Sequence, residues 1–407
     1  MEIKPKIESL AVIKVVGIGG GGNAAVNRMI NAKIKGVEFI AVNTDAQALA
    51  GSKAPVKIHI GENVTRGLGA GMDPELGRKS AEESSDILHE SLRGADMVFI
   101  TCGLGGGTGT GAAPTISEIA KDVGALVVAV VTKPFSFEGQ QRMNIANRGH
   151  EELSQRVDAI ITVPNDRLLQ VIDKKVSLLD AFEIVDEVLK QGVQGISELI
   201  TQTGNINADF NDVKAIMNNA GSALMGIGKS SGENRAVEAA KAAISSPLLE
   251  MSVDGAKGIL FNISGDAGLA MVEVNEAARI ITSAADPNAK IIWGVTIDET
   301  LGSEVKITVI AAGFGDAARS QTASHSAQQS ASASTTTTSL GGFRFRPVAK
   351  VEQKAPAMSM DNEAINPKTN FMPTLMQPKN INATAPEIPQ DDLEIPSILR
   401  KKLHKDD

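Results

Sequence analysis

Two glycine-rich runs in this 407-residue chain have the composition of phosphate cradles. The first, Gly17-Ile18-Gly19-Gly20-Gly21-Gly22-Asn23, follows the apolar segment Val12-Ile13-Lys14-Val15-Val16. The second, Gly103-Leu104-Gly105-Gly106-Gly107-Thr108-Gly109-Thr110-Gly111, follows Asp96-Met97-Val98-Phe99-Ile100 and holds six glycines and two threonines. A helical pattern succeeds each run, and Pro114 reads as the opening of the second helix. Strand, glycine loop and helix start together aim backbone N–H groups at an anion. Glycine lets the backbone come close to that anion, and threonine hydroxyls add hydrogen bonds to phosphate oxygens or metal-bound water. Two such loops facing one crevice suit a polyphosphate. Gly20, Gly21, Gly22 and Asn23 would meet it from one side, and Gly103, Gly106, Gly107, Thr108 and Gly109 from the other. Ala70 and Gly71, in the third glycine loop Gly67-Leu68-Gly69-Ala70-Gly71, are candidate sensors of the terminal phosphate.

Other chemistries are open at this stage. Gly17-x-Gly19-x-x-Gly22 with Asp45 beyond the strand Val37–Val42 is a dinucleotide fingerprint, which by itself points to an NAD-dependent dehydrogenase. It leaves the second glycine run unexplained. No Gly-x-x-x-x-Gly-Lys-Ser/Thr motif exists, so the P-loop class is excluded. Asp209 and Asp212 lie three residues apart at a helix start, on one side of it. Their spacing reads as an N-cap with a second acid in the first turn, where the helix dipole favours it.

These residues need a scaffold, and the hydrophobic pattern supplies one. Strands are expected at Val12–Val16, Glu38–Val42, Met97–Thr101, Leu126–Val131 and Ala159–Val163, several of them near-continuous apolar runs. Such runs are typical of parallel strands buried on both faces. With helices between them they make a doubly wound parallel-sheet α/β domain over 11–176, its ligand at the carboxyl ends of the strands. Leu178, Phe182, Val185, Val188, Leu189, Val193, Ile196 and Leu199 recur at helical spacing, giving a long central helix over 177–202 opened by a Ser177/Asp180 capping box. A second α/β domain follows over 203–316. Its helices are expected near Asp212–Asn219 and Ala236–Ser245, and its strands near Gly258–Ile263, Ile291–Ile297 and Val305–Ala312.

Residues 1–10 read as a flexible start. Residues 317–386 read as a disordered linker, because 320–340 alone holds 7 Ser and 5 Thr and buries too little apolar area to offset chain entropy. The last segment, 387–407, turns amphipathic again, with Leu393, Ile395, Pro396, Ile398, Leu399 and Arg400 as a candidate docking peptide or an unremarkable tail. A net charge of −8 argues against nucleic acid as the main ligand. The single cysteine, Cys102, excludes an internal disulfide, fits a reducing cytoplasm and reads as small buried filler. No signal peptide and no run of about 20 apolar residues is present, so direct membrane insertion is not expected.

The wording of the loops resembles one family. Gly105–Gly111 is similar to the signature of the tubulin and FtsZ superfamily. Asn43-Thr44-Asp45-Ala46-Gln47-Ala48-Leu49, Gly67–Gly71 and Thr132-Lys133-Pro134-Phe135-Ser136-Phe137-Glu138-Gly139 resemble further loops of bacterial FtsZ. The likeness runs from about Ala11 to about Phe314 and resumes at the C-terminus. One departure is Ala24, where many family members carry a second Asn.

The resemblance implies a GTPase that binds GTP and GDP with Mg²⁺, the metal held mainly through the phosphates rather than by side chains. Beside the glycine loops it implies Asn43, Thr132, Glu138 and Arg142 around the ribose and phosphates, Asn165 and Asp186 on the guanine, and Phe182 stacked on it. Without the likeness, Glu138 reads as a solvated charge, Asp186 as a helix-face charge and Phe182 as core. It further implies that Asn207, Asp209 and Asp212 complete the pocket of the next subunit, as catalytic residues of a head-to-tail homopolymer forming a division ring. The C-terminal peptide would then take membrane-tethering and regulatory division proteins, and the chain would be cytoplasmic and concentrated at midcell.

Overall fold

The structure, a computed structural model, describes residues 11–168, 177–201, 209–246, 253 and 255–314. All of them lie within one compact unit, Met1–Thr335. Its first part runs β1 (Ile13–Ile18), α1 (Gly19–Asn31), β2 (Val37–Asn43), α2 (Ala46–Ala50), β3 (Val56–His59), α3 (Glu62–Thr65), α4 (Pro74–Glu83), α5 (Ser85–Leu92) and β4 (Met97–Gly103). The chain continues through α6 (Thr108–Asp122), β5 (Leu126–Lys133), α7 (Gln140–Ser154), β6 (Ala159–Pro164), α8 (Asn165–Leu168) and α9 (Leu178–Thr201). The remainder is α10 (Phe210–Met217), β7 (Gly221–Ser231), α11 (Arg235–Ile244), β8 (Gly258–Gly265), α12 (Met271–Ser283), β9 (Lys290–Ile297) and β10 (Glu304–Ala312).

The ten strands form one mixed, mostly parallel sheet in the order β3-β2-β1-β4-β5-β6-β7-β10-β8-β9. β10 is antiparallel to both its neighbours; the other pairings are parallel. The apolar runs bury both faces, as expected of crossover-connected strands. In β5, Val128 and Val130 join the core under α1 and α9, while Val127, Ala129 and Val131 join the core under α6 and α7. The β5–β6 ladder holds six residue pairs and the β7–β10 ladder nine. Between them, β6 and β7 share only three, Ala159 with Gly221, Ile160 with Ser222 and Ile161 with Ala223. Helix α9 lies across that joint, where a Cβ on Gly192 would sit 3.0 Å from Val130 and 3.4 Å from the sulfur of Met225.

The start of α9 follows the expected box. The Ser177 hydroxyl oxygen accepts from the Asp180 N–H at 3.2 Å, and the Asp180 carboxylate accepts from the Ser177 N–H at 3.4 Å. The helix α6 differs from expectation: it begins at Thr108, and Pro114 lies inside it as its seventh residue. Its first turn, Thr108-Gly109-Thr110-Gly111, has poor helix propensity and reads as loop. Tertiary contact holds it helical, since α4 lies so close that a Cβ on Gly111 would meet the Pro74 carbonyl oxygen at 1.8 Å. Strand β7 is absent from the sequence-based expectation. Its glycines hide it, and they are there because α11 rests on the strand backbone: a Cβ on Gly226 or Gly228 would fall 2.0 Å from the Ala243 or Ala239 carbonyl oxygen. No described helix is long and apolar enough to cross a membrane.

Candidate functional site

β1 and β4 are parallel neighbours, with Ile18 beside Cys102, so the turns into α1 and α6 emerge together at the carboxyl edge of the sheet. The two loops touch: a Cβ on Gly19, whose φ is +70°, would lie 3.1 Å from the Gly109 nitrogen. Gly22 is pressed beneath them: a Cβ there would lie 2.3 Å from the Thr101 carbonyl oxygen. Gly20 and Gly106 have open space over them instead, and Gly20 and Gly21 are exposed. Two helix starts therefore present their unpaired N–H groups to one open region. Gly103 is paired with buried Thr132 across the β4–β5 ladder, and Gly107 lies under Ala70, whose methyl would be 2.8 Å from an added Cβ. Gly71 is exposed with free space around it. The third loop thus borders the second.

Asn23 is buried and its amide braces the first loop. Oriented so that each atom meets a partner, its nitrogen donates to the Gly17 and Gly19 carbonyls at 2.8 and 3.3 Å, and its oxygen accepts from Asn43 Nδ2 at 3.2 Å. Ala24 offers only a half-buried methyl. Asn43, also buried, accepts from the Asp45 N–H at 3.2 Å. Asp45 itself caps α2 through the Ala48 N–H at 2.9 Å.

On the far side of the edge, Asn165 opens α8 immediately after β6. Its side chain is buried and its Oδ1 has no hydrogen-bond partner. An unmet buried acceptor costs about 1–3 kcal/mol, which a ligand N–H would recover. Phe182 is 40% exposed, with its ring edge-on to buried Phe135 at 5.6 Å. Glu138 accepts from the Phe135 N–H at 2.9 Å and pairs directly with Arg142 one helical turn on.

Asp186, one turn beyond Phe182, faces α1. Burial pushes its carboxyl up to about 6; Arg28 works against that rise and Glu183 adds to it. Arg28 reaches Glu183 at 3.2 Å, and its buried Nε stands 4.0 Å from Asp186, beyond hydrogen-bond reach. Sequence reasoning gives no individual role to Arg28 or Thr44. Thr44 carries a usable signal, its place at the carboxyl end of a parallel strand; Arg28 carries none.

The acidic pair lies elsewhere. α9 starts beside Phe135 at the carboxyl edge and ends at Thr201 against Gly36, at the amino edge before β2. Its 24 residues span roughly 36 Å. Asp209 is the N-cap of α10, accepting from the Asp212 N–H at 2.7 Å, and both side chains are exposed. The capping half of the sequence reading is therefore realised. Asn207 and the tail residues Leu393, Ile395, Pro396, Ile398, Leu399 and Arg400 lie outside the described residues. Cys102 is buried with its thiol pushed up to about 12 by burial, as suits filler. Among the described residues no group of three or more His, Cys, Asp or Glu side chains could hold a metal ion.

Residues 12–173 match the GTPase domain of the Tubulin/FtsZ family, and residues 221–315 match the FtsZ family C-terminal domain. Among solved structures, the empty FtsZ dimer of M. jannaschii is 47% identical, with a TM-score of 0.73, over 76% of this chain and 90% of that one. A point mutant of M. jannaschii FtsZ is 48% identical, with a TM-score of 0.73, over 75% and 92% of the two chains. The GTPγS-bound protofilament of CetZ2 from Haloferax volcanii is 20% identical, with a TM-score of 0.63, over 78% and 99%, a likeness of fold alone.

Proposed function

This chain belongs to the tubulin/FtsZ family of GTPases, and on that premise we propose that it hydrolyses GTP between subunits stacked head to tail, in filaments that build a division ring. One observation supports the reading: the glycine loops open at the carboxyl ends of β1 and β4, whereas α10, which Asp209 caps, packs through Ile216 on Gly258 at the amino-edge start of β8. A site split in this way is complete only where two copies meet, and a repeated contact between unlike faces gives an open filament.

In this reading the N–H groups of Gly20–Gly22 and Gly107–Gly109 hold the phosphates, with Thr108 adding its hydroxyl. Ala70 and Gly71 meet the terminal phosphate, Glu138 and Arg142 the ribose and phosphates, and Asn165, Phe182 and Asp186 the guanine. Mg²⁺ bound with the phosphates would neutralise their charge. Asp209 and Asp212 of the following copy orient and polarise the attacking water. The segment 387–407 takes partner proteins that bring the filament to the membrane, and the chain works in the cytoplasm at midcell.

The test is phosphate release from GTP against protein concentration. Turnover per subunit should rise as the chain assembles, and a chain ending at residue 386 should keep that behaviour while losing membrane recruitment. Turnover that is constant per subunit on dilution would refute the shared site, and loss of hydrolysis on truncation would make the tail part of the catalytic unit.

Base choice gives a second expected result, with a pH dependence. The ionised Asp186 carboxylate accepts from guanine N1–H and the 2-amino group, and adenine cannot make that pair. Asp186→Asn should cut the preference for GTP over ATP at least about tenfold, since such a contact contributes about 1–3 kcal/mol. In the wild type, GTP affinity should fall in acid as the carboxyl takes up its proton at and below about pH 6. Stability of the empty protein has the opposite sign. The folded state holds this proton above the ordinary value of 3.8, so the contribution favours folding in acid and fades as pH rises through about 6. Asp186→Asn should therefore leave the empty protein at least as stable near neutral pH. A wild type with equal affinity for GTP and ATP, or a GTP affinity flat from about pH 7 to about pH 5, would refute the assignment.

A further inference from the structure

Three glycine loops border the anion space, and one dipeptide touches all of them. Asn43, the last residue of β2, gives its amide to Asn23, which holds the Gly17 and Gly19 carbonyls of the first loop. The next residue, Thr44, is fully buried, and its hydroxyl bonds the Thr108 hydroxyl of the second loop at 2.6 Å. Its carbonyl meets three donors that fix the third loop: the Gly69 N–H at 3.3 Å, the Thr65 hydroxyl at 3.2 Å and the His59 ring nitrogen at 3.3 Å. The Ala46 N–H adds a bond to the Gly67 carbonyl at 3.1 Å. Buried networks of this kind act as units, since each member left unpaired carries the full cost of its desolvation.

We propose that Asn43-Thr44 is a positioning dipeptide that sets the three loops against one another, so that contact of the third loop with a terminal phosphate is felt at Thr108 and at the first loop. The proposal rests on the nucleotide reading above. It gives Thr44 a role without any contact to ligand, and it moves Asn43 from ligand contact to loop support. It also accounts for Ala24, because the amide that braces the loop is supplied by Asn23.

The test compares Thr44→Val, which keeps the shape and removes the hydroxyl, with Thr44→Ser, which restores the hydroxyl. Thr65→Val probes the other arm of the network. Affinities for GTP and GDP are measured together with kcat and KM. Thr44→Val should leave GDP affinity within about threefold, reduce the GTP-over-GDP preference at least about fivefold and lower kcat at least about tenfold with KM little changed. Thr44→Ser should restore all three. Thr65→Val should move the GTP-over-GDP preference in the same direction, and the double variant should be no worse than Thr44→Val alone, as coupled residues require. Equal losses for GTP and GDP in Thr44→Val, failure of serine to rescue, or strictly additive effects would overturn the proposal. A wild type that binds neither nucleotide would instead overturn the nucleotide reading on which it rests.

Discussion

Asp212→Ala should bind GTP as the wild type does and lose at least about two orders of magnitude in turnover, the scale on which a group positioning the attacking water acts. The side chain is exposed, on a helix that packs through Ile216 on Gly258 at the start of β8, away from the glycine loops. Its loss should therefore cost little stability: Asp209, which caps α10 through the Asp212 backbone N–H, is untouched. Mixing supplies the sharper measurement. A chain blocked for nucleotide at Gly107 and Thr108 is inactive alone but keeps its acidic pair. Added to Asp212→Ala, it should restore hydrolysis to a fraction set by how often the two chains are neighbours in the right order. If the mixture co-assembles and stays inactive, each chain holds its own complete site.

Gly22→Ala should abolish nucleotide binding, with affinity falling at least about a hundredfold. The new methyl would lie 2.3 Å from the Thr101 carbonyl oxygen and 2.9 Å from the Gly17 carbonyl carbon, both backbone atoms. Neither can turn aside as a side chain would, so β1, β4 and the start of α1 must separate, at about 1–3 kcal/mol of overpacking strain. A hundredfold loss is about 2.7 kcal/mol, and it is expected in binding because the displaced N–H groups are the anion donors of the proposed site. Gly20→Ala is the control: a Cβ there meets nothing within 4 Å. Thermal melts and GTP titration of the two variants separate strain from ligand contact. A Gly22→Ala chain that binds GTP normally would show that the first loop is not part of the site.

Much of the scaffold is legible because its strands are written as unbroken apolar runs. Leu126–Lys133 and Met97–Gly103 could hardly be anything else once the glycine loops are seen to follow strands. Two of the elements that escape, though not β3 or α12, do so for reasons of contact. β7 carries Gly226 and Gly228 where the α11 backbone presses on it, and the first turn of α6 carries Gly111 where α4 does. Local propensity then opposes the observed state, and tertiary packing decides. The same holds within the site. The glycine loops can be named from sequence, and the direction of Asn23, turned into its own loop, cannot. Asp186 can be singled out only by resemblance; its raised carboxyl pKa comes from burial against α1, where Arg28, far away in the chain, becomes its neighbour.

The joint between β6 and β7 has a mechanical meaning. Three residue pairs hold it, against six and nine in the ladders on either side, so the sheet has one line of low stiffness running through its middle. What splints that line is α9. Its Val188, Leu189, Val193 and Ile196 are buried in one core with Val130 and Ile161 on one side of the joint and Ala223 and Met225 on the other. Gly192 lets the helix sit close, since a Cβ there would be 3.0 Å from Val130 and 3.4 Å from the Met225 sulfur. The two halves of the sheet are thus riveted through a helix where the ladder between them is shortest, and a load crossing the joint is carried by side-chain packing rather than by strand hydrogen bonds.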